Sequence, residues 1–263
     1  MSAATTPSSA ATGSSARRDR LAAAGMPPYV LIPGDPDRVD VIAAQWDSAE
    51  LIALPRGYRA AVGTLRGHRL GAVSSGIGAP SLESVLADLG RLGAHTLIRV
   101  GTTGSLRAEI RNGSLIVNDA CVRMDGTTHL YVRPEYPAAA SWEVTAALVE
   151  AARTLGHTAH VGTGCTTGSF VAGQGRAAFD GYESPEGQRL YDEMRRAGVL
   201  NFEMEASALL TLARLAGQRA GSICSVIANR ITGEWADDGG IERACRVASE
   251  ALVLLAAREQ SGS

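Results

Sequence analysis

Two short glycine-rich segments, each carrying an arginine, hold the residues of this chain best suited to chemistry. Pro33-Gly34-Asp35-Pro36-Asp37-Arg38 follows the apolar run Tyr29-Val30-Leu31-Ile32, and Arg99-Val100-Gly101-Thr102-Thr103-Gly104 follows Thr96-Leu97-Ile98. Each reads as a buried strand breaking into a tight turn, where glycine lets backbone N–H groups come close to a ligand. Backbone donors, hydroxyls and a guanidinium converging on one point suit a tetrahedral oxyanion such as phosphate. One such segment is ordinary turn chemistry; two together favour an anion site.

A third region runs Gly164-Cys165-Thr166-Thr167-Gly168-Ser169-Phe170 and continues into Gly173-Gln174-Gly175-Arg176. Gln174 and Arg176 can present an amide and a guanidinium to one planar ligand, with Phe170 near enough to stack on it. The plainer reading is a solvated loop anchored in the core by its phenylalanine. The fourth region is Asn201-Phe202-Glu203-Met204-Glu205-Ala206-Ser207, where a strand hands over to a helix of small and apolar residues. A carboxylate there either caps the helix, worth roughly 1 kcal/mol, or accepts hydrogen bonds from two sugar hydroxyls with Met204 packed on the sugar. Residue types alone do not separate these.

The elements that must position these residues alternate. Strands are expected at 29–33, 50–54, 58–65, 69–74, 95–101, 114–123, 158–164, 199–203 and 220–228. Helices are expected at 37–46, 80–92, 141–155, 186–196, 205–217 and 240–258. The segment 141–155 shows a helical stripe of Val144, Ala147, Leu148, Ala151 and Leu155. This pattern argues an α/β layered sheet, with antiparallel pairs added by 50–74. No internal repeat or interior linker is visible.

Composition narrows the chemistry. With 263 residues, 45% of them hydrophobic, the chain suits one large domain over 28–260. Residues 1–27 are rich in Ala, Ser and Thr with a basic cluster at Arg17, Arg18 and Arg20. They lack the apolar stretch of a secretory signal and read as a disordered tail. No run approaches the roughly 18 apolar residues that span a membrane. A net charge of −2 provides no basic field for nucleic acid or anionic lipid. All 25 basic residues are arginine, which excludes a Schiff-base lysine, a P-loop lysine and a lysine general base. Cys121, Cys165, Cys224 and Cys245 have no metal-knuckle spacing, and no carboxylate or cysteine completes a zinc pattern with His157 and His160. Free thiols in a reducing cytoplasm, and no metal, are expected.

Taken in order, PGDPDR (33–38), SGIGAPS (75–81), IRVGTTGS (98–105), FVAGQGR (170–176), NFEMEAS (201–207) and VIANR (226–230) resemble the nucleoside phosphorylase family. This family includes uridine phosphorylases and hexameric bacterial purine nucleoside phosphorylases. The resemblance covers roughly residues 29 to 258. The GQxR and ANR elements lean to the uridine phosphorylase branch, since the purine enzymes place an aspartate where Asn229 and Arg230 stand. It implies a three-layer α/β/α sandwich around a central mixed, partly barrel-like β-sheet.

The resemblance also implies roles. Gly34, Arg38, Arg99 and Thr102 would hold phosphate, joined by Arg56 donated across a dimer interface into the neighbour's site. Met204 and Glu205 would hold the ribose, with Thr103 and Glu203 beside it. Phe170, Gln174 and Arg176 would contact the base, with Ile227, Ala228 and Arg230 at its far side. Arg99, Arg176 and Glu205 would carry catalysis. Inorganic phosphate would be a co-substrate, with no metal or organic cofactor. The assembly implied is a cytoplasmic homo-oligomer, at least a dimer with a shared active site, with a hexamer built as a trimer of dimers the larger form.

Three departures stand out. Residues 1–67 contain no histidine, whereas the relatives use one near the N-terminus to reach the neighbour's ribose 5′-hydroxyl. Gly57 follows Arg56 where uridine phosphorylases often have a cation-binding glutamate. Val171 and Ala172 replace a usual Tyr-Pro after Phe170. The expected activity is therefore reversible phosphorolysis of uridine to uracil and ribose 1-phosphate. A phosphorylase of a purine or 5′-modified nucleoside, in salvage or a specialised pathway, is the first alternative. A non-catalytic nucleoside-binding protein is the second, and the intact arginine and glutamate set argues against it.

Overall fold

The computed structural model of the protein describes residues 13–236 and 240–262. In chain order the elements begin with α1 (Gly13–Ala23), β1 (Tyr29–Pro33), α2 (Asp37–Ala43), β2 (Ser48–Ala53), β3 (Arg59–Leu65), β4 (His68–Val73) and α3 (Ala79–Arg91). β5 (Thr96–Ser105), β6 (Leu115–Met124), β7 (Ala138–Ala139), α4 (Trp142–Thr154), β8 (Ala159–Thr167) and α5 (Pro185–Arg196) follow. β9 (Asn201–Glu203), α6 (Ala206–Leu215), β10 (Arg219–Asn229) and α7 (Ile241–Gln260) complete the chain.

β5, β10, β6, β8 and β9 pair in a closed ring, because β10 bonds to both β5 and β6 while β9 bonds to both β8 and β5. From β5 an open wing extends through β1, β4, β3 and β2. β1 is parallel to β4 and β5, and β2–β3–β4 form the antiparallel pairs expected from the 50–74 region. All five residues of β1 are buried, as a strand covered on both faces requires. One apolar core joins α2, α4 and α7 to the sheet through residues such as Leu31, Ile98, Leu148 and Leu252. A second joins α1, α3 and α6 through Leu21, Val30, Leu82 and Leu209. The result is the expected three-layer sandwich with a partly barrel-like sheet.

Two expectations are corrected. The first twelve residues of the expected tail lie outside the described residues, but residues 13–23 form α1 rather than continuing a disordered segment. Arg17 and Leu21 are buried, and Arg17 Nη2 lies 2.7 Å from Asp88 Oδ2 of α3. A basic, Ser-rich stretch hides this because its one buried cation pairs with a carboxylate some seventy residues away. The second glycine-rich segment is not a turn: β5 runs unbroken to Ser105, and Gly101 pairs with Cys224. A side chain at Gly101 would meet the Arg99 guanidinium at 2.9 Å and Cys224 Sγ at 3.0 Å. Glycine is used here for close packing inside a strand.

Candidate active site

A cavity of about 640 Å³ opens where β1, β5, β9 and β10 meet their following loops. It brings together Gly34, Arg38, Arg99, Thr102, Thr103, Glu203, Met204 and Glu205 from the first, second and fourth regions. It adds Phe170, Gln174, Arg176, Ile227 and Ala228 from the third region and β10. Residues widely separated in sequence therefore share one wall.

At one end, Gly34 leaves β1 so tightly that an added Cβ would stand 3.3 Å from the Gly76 carbonyl and 3.9 Å from Arg99 Nη1. Arg99 is buried on β5, its Nε donating to Glu203 Oε2 at 3.0 Å and its Nη2 paired with Glu205 Oε2. Its Nη1 is buried with no hydrogen-bond partner. Burial disfavours the Arg99 charge, but the Glu205 and Glu203 carboxylates outweigh it and hold the pKa above the ordinary value. Arg38 donates to the Val100 carbonyl at 3.0 Å, and burial together with the nearby Arg99 charge lowers its pKa. Two poorly hydrated guanidiniums beside a glycine turn can receive an oxyanion.

The two carboxylates differ. Glu203 Oε2 accepts from the backbone N–H groups of Glu205 at 2.8 Å and Ala206 at 2.7 Å as well as from Arg99, while Oε1 accepts from Thr166. Glu203 thus holds the N–H groups at the start of α6 and accepts four hydrogen bonds within the protein. Glu205 accepts from the Gly78 N–H at 2.5 Å and from Arg99, two of about four acceptor positions. Burial raises the Glu205 pKa, with the Glu203 charge adding to that and the Arg99 charge opposing it. The Thr103 hydroxyl donates to the Phe202 carbonyl at 2.6 Å and accepts from Asn201 Nδ2 at 2.8 Å, which fixes its place beside the carboxylates.

At the other end, Gln174 is buried and donates to Thr167 Oγ1 at 3.2 Å. The Arg176 guanidinium lies 4.4 Å from the Phe170 ring centroid, and its Nε is buried without a partner. Burial and the nearby Arg230 charge push the Arg176 pKa down to about 10, so it stays charged at neutral pH while poorly solvated. The turn needs no proline after Phe170: the Val171 carbonyl accepts from Gln174 at 3.3 Å and Arg176 at 3.0 Å. Gly175, at φ +63°, sits where a Cβ would meet the Gly187 carbonyl and Tyr191 Cβ at 3.0 Å. On β10 the register against β5 shifts between Val226 and Ala228, leaving Ile227 on the cavity wall.

Two expected site residues stand elsewhere. Arg230 does not line the cavity. Its guanidinium donates to the Gln174 carbonyl at 2.9 Å and lies 4.9 Å from the Tyr191 ring centroid, so it clamps the loop that carries Gln174. Arg56 is exposed in a short turn over Pro55–Gly57 at φ +63° and is not among the lining residues. Gly76, Ile77, Phe202 and Trp235 also line the cavity, and sequence reasoning gives them no role. The signal for the first two is the spacing of Gly76 and Gly78, whose φ values are +70° and +90°. No comparable signal marks Trp235. Among the described residues no group of three or more His, Cys, Asp or Glu side chains is placed to hold a metal ion. The four cysteines are buried free thiols whose pKa values burial pushes up. No helix of the described residues is long and apolar enough to cross a membrane.

Residues 28–258 match the family model described as the phosphorylase superfamily. The chain is 48% identical over 228 residues to a uridine phosphorylase of Thermococcus kodakarensis, covering 87% of this chain and 82% of that protein. It is 39% identical over 203 residues to a uridine phosphorylase of Escherichia coli, covering 76% and 79%. A guanosine phosphorylase of Halorubrum lacusprofundi is 34% identical over 236 residues, covering 86% and 92%.

Proposed function

Because the chain belongs to the phosphorylase superfamily, we propose that it catalyses reversible phosphorolysis of uridine to uracil and ribose 1-phosphate. The observation that carries the reading is a cavity with an unpartnered Arg99 Nη1 at one end, an unpartnered Arg176 Nε at the other, and Glu205 toward the Arg99 end. A nucleoside and a phosphate need that order: an anion, a sugar with vicinal hydroxyls, then a flat base.

Phosphate held by Gly34, Arg38, Arg99 and Thr102 faces C1′ of the ribose. The N-glycosidic bond breaks first, its electron pair passing to uracil N1 and leaving an oxocarbenium-like ribose. A phosphate oxygen then forms the new C1′–O bond, and the uracil anion takes its proton from water. Arg176 and Gln174 stabilise the charge spreading over the departing ring; one such preorganised donor is typically worth ~10²–10³ in rate. Glu205 holds the ribose hydroxyls while Glu203 holds Glu205's own backbone. The reaction uses inorganic phosphate as co-substrate and calls for neither metal nor organic cofactor. The enzyme is a cytoplasmic homo-oligomer in which Arg56 reaches a neighbour's phosphate site.

A purine nucleoside is the rival substrate, favoured by the likeness to a guanosine phosphorylase. Liquid chromatography of uridine, thymidine, inosine, guanosine and adenosine incubated with and without phosphate separates the two. Uracil released only with phosphate is the expected result; preferential cleavage of a purine nucleoside, or cleavage without phosphate, rejects the reading.

A further inference from the structure

We propose that Trp235 is a second aromatic contact of the base site, so that the flat face of the base is selected by an indole as well as by Phe170. The inference deepens the phosphorolysis reading and rests on it for the placement of the base.

β10 does not simply end at Asn229. The chain turns and comes back, with the Asn229 N–H donating to the Glu234 carbonyl at 2.8 Å and the Ala236 N–H to the Ile227 carbonyl at 2.8 Å. The buried Asn229 side chain builds this turn. Its Oδ1 accepts from Ile231 at 2.9 Å and Thr232 at 3.0 Å, and its Nδ2 donates to the carbonyls of Arg107 at 2.9 Å and Ile110 at 3.1 Å. Gly233 takes φ +78° and closes the turn by donating to the Asn229 carbonyl at 2.9 Å. The product is an antiparallel bridge that sets Trp235 directly across from Ala228, itself on the cavity wall.

Trp235 is 55% exposed and Phe170 46% exposed, and both line the same cavity. Two aromatic side chains left partly in water on a cavity that Arg176 and Gln174 also line gain most from a flat ligand that covers them. A core role does not account for Trp235, because more than half of it is bare. A turn held by this set of side-chain and backbone bonds does not relax easily, so the indole is pre-placed rather than free to drift.

Fluorescence and kinetics test this together. Trp46 is buried with its indole N–H on Ser249 at 3.1 Å, and Trp142 opens α4; neither lines the cavity. Titration with uracil or guanine is expected to quench the emission of the wild type, and Trp235→Phe to remove that quench. Stacking on one aromatic face is worth about tenfold or more in affinity. Trp235→Ala should therefore raise the nucleoside KM by that factor with the phosphate KM and melting temperature unchanged, and Trp235→Phe should restore the nucleoside KM toward the wild-type value. A quench that survives in Trp235→Phe, a wild-type nucleoside KM in Trp235→Ala, or no quench by either base overturns the proposal. If uracil quenches through Trp235 but the wild type cleaves no nucleoside in phosphate, the phosphorolysis reading fails and the aromatic contact stands.

Discussion

Glu203 and Glu205 grip one guanidinium from two sides, but Glu203 accepts four hydrogen bonds from the protein and Glu205 only two. Glu203 spends its oxygens on Thr166, Arg99 and two N–H groups of the α6 start, whereas Glu205 meets only Gly78 and Arg99. Glutamine at each position should separate the roles. In Glu203→Gln an amide N–H group faces existing donors, so stability should fall by about 1–3 kcal/mol, the cost of a broken buried hydrogen bond. Glu205→Gln should instead lose about 1.5–3 kcal/mol of kcat/KM, more for uridine than for 2′-deoxyuridine if it holds the 2′-hydroxyl. Denaturant melts and kinetics on the two substrates check this; equal stability losses with no kinetic difference would reject it.

Arg99→Ala removes the shared cation and leaves two buried carboxylates without it. Breaking a buried pair from one side costs about 3–5 kcal/mol, so the variant should melt well below the wild type. Whatever folded enzyme remains should show a raised phosphate KM and a lowered kcat, because the lost contacts strengthen as charge reorganises. An unchanged phosphate dependence would remove Arg99 from the site.

Much of this site is legible in the sequence. The PGDPDR turn is local: β1 supplies the apolar run and Gly34 the close approach, so both can be read within ten residues. The carboxylates are harder, since one Asn-Phe-Glu-Met-Glu string both holds the start of α6 through Glu203 and presents Glu205 to the cavity with fewer partners. Only the packing of Arg99 and Gly78 decides which is which. Arg230 misleads for a related reason. It sits beside two cavity residues, but its side chain turns back to the Gln174 carbonyl and the Tyr191 ring. α1 is invisible because Arg17 and Asp88 meet only through the fold.

The C-terminal helix is tied to the start of the sheet by a titratable clamp. Glu259 accepts from the Tyr29 hydroxyl and pairs with Arg219, while Arg219 also donates to Thr96 at 2.6 Å. Burial disfavours the Glu259 charge, but the Tyr29 hydroxyl and Arg219 outweigh it and hold the pKa below the ordinary 4.5. A depressed carboxyl pKa adds stability that is present above the unfolded value and is lost as pH falls through the folded one. Tyr29 shifts the opposite way, up to about 12, mainly through burial and then through Glu259. Its contribution is present below about 10 and is lost as pH rises toward about 12. Melting curves of wild type and Glu259→Gln should therefore differ most near neutrality and converge below pH 4.5. A constant difference across that acid range would show that the clamp does not titrate.

The charge balance at the phosphate end bears on assembly. Arg38 and Arg99 are opposed by Glu203 and Glu205, all close together, so one subunit offers a phosphate dianion no net positive charge. Arg56 lies outside its own cavity on an exposed turn, held at φ +63°, a backbone state that a non-glycine side chain rarely adopts without a reason. Reaching into a second subunit would supply the missing cation, and reciprocal contacts of this kind are natural to a two-fold dimer. Arg56→Ala should then lose phosphate affinity without losing stability, since few contacts go with it. Mixing Arg56→Ala subunits with Arg176→Leu subunits should restore activity. In the mixed dimer one site has its own Arg176 and the partner's Arg56, while the other lacks both. With free exchange half of the dimers are mixed, so about a quarter of the wild-type sites should return. Activity no higher than that of the separate variants, in a sample shown to have exchanged subunits, would confine Arg56 to its own chain. Gly57 puts no carboxylate next to Arg56 in the chain, so potassium should leave the activity of wild type and mixed enzyme nearly unchanged.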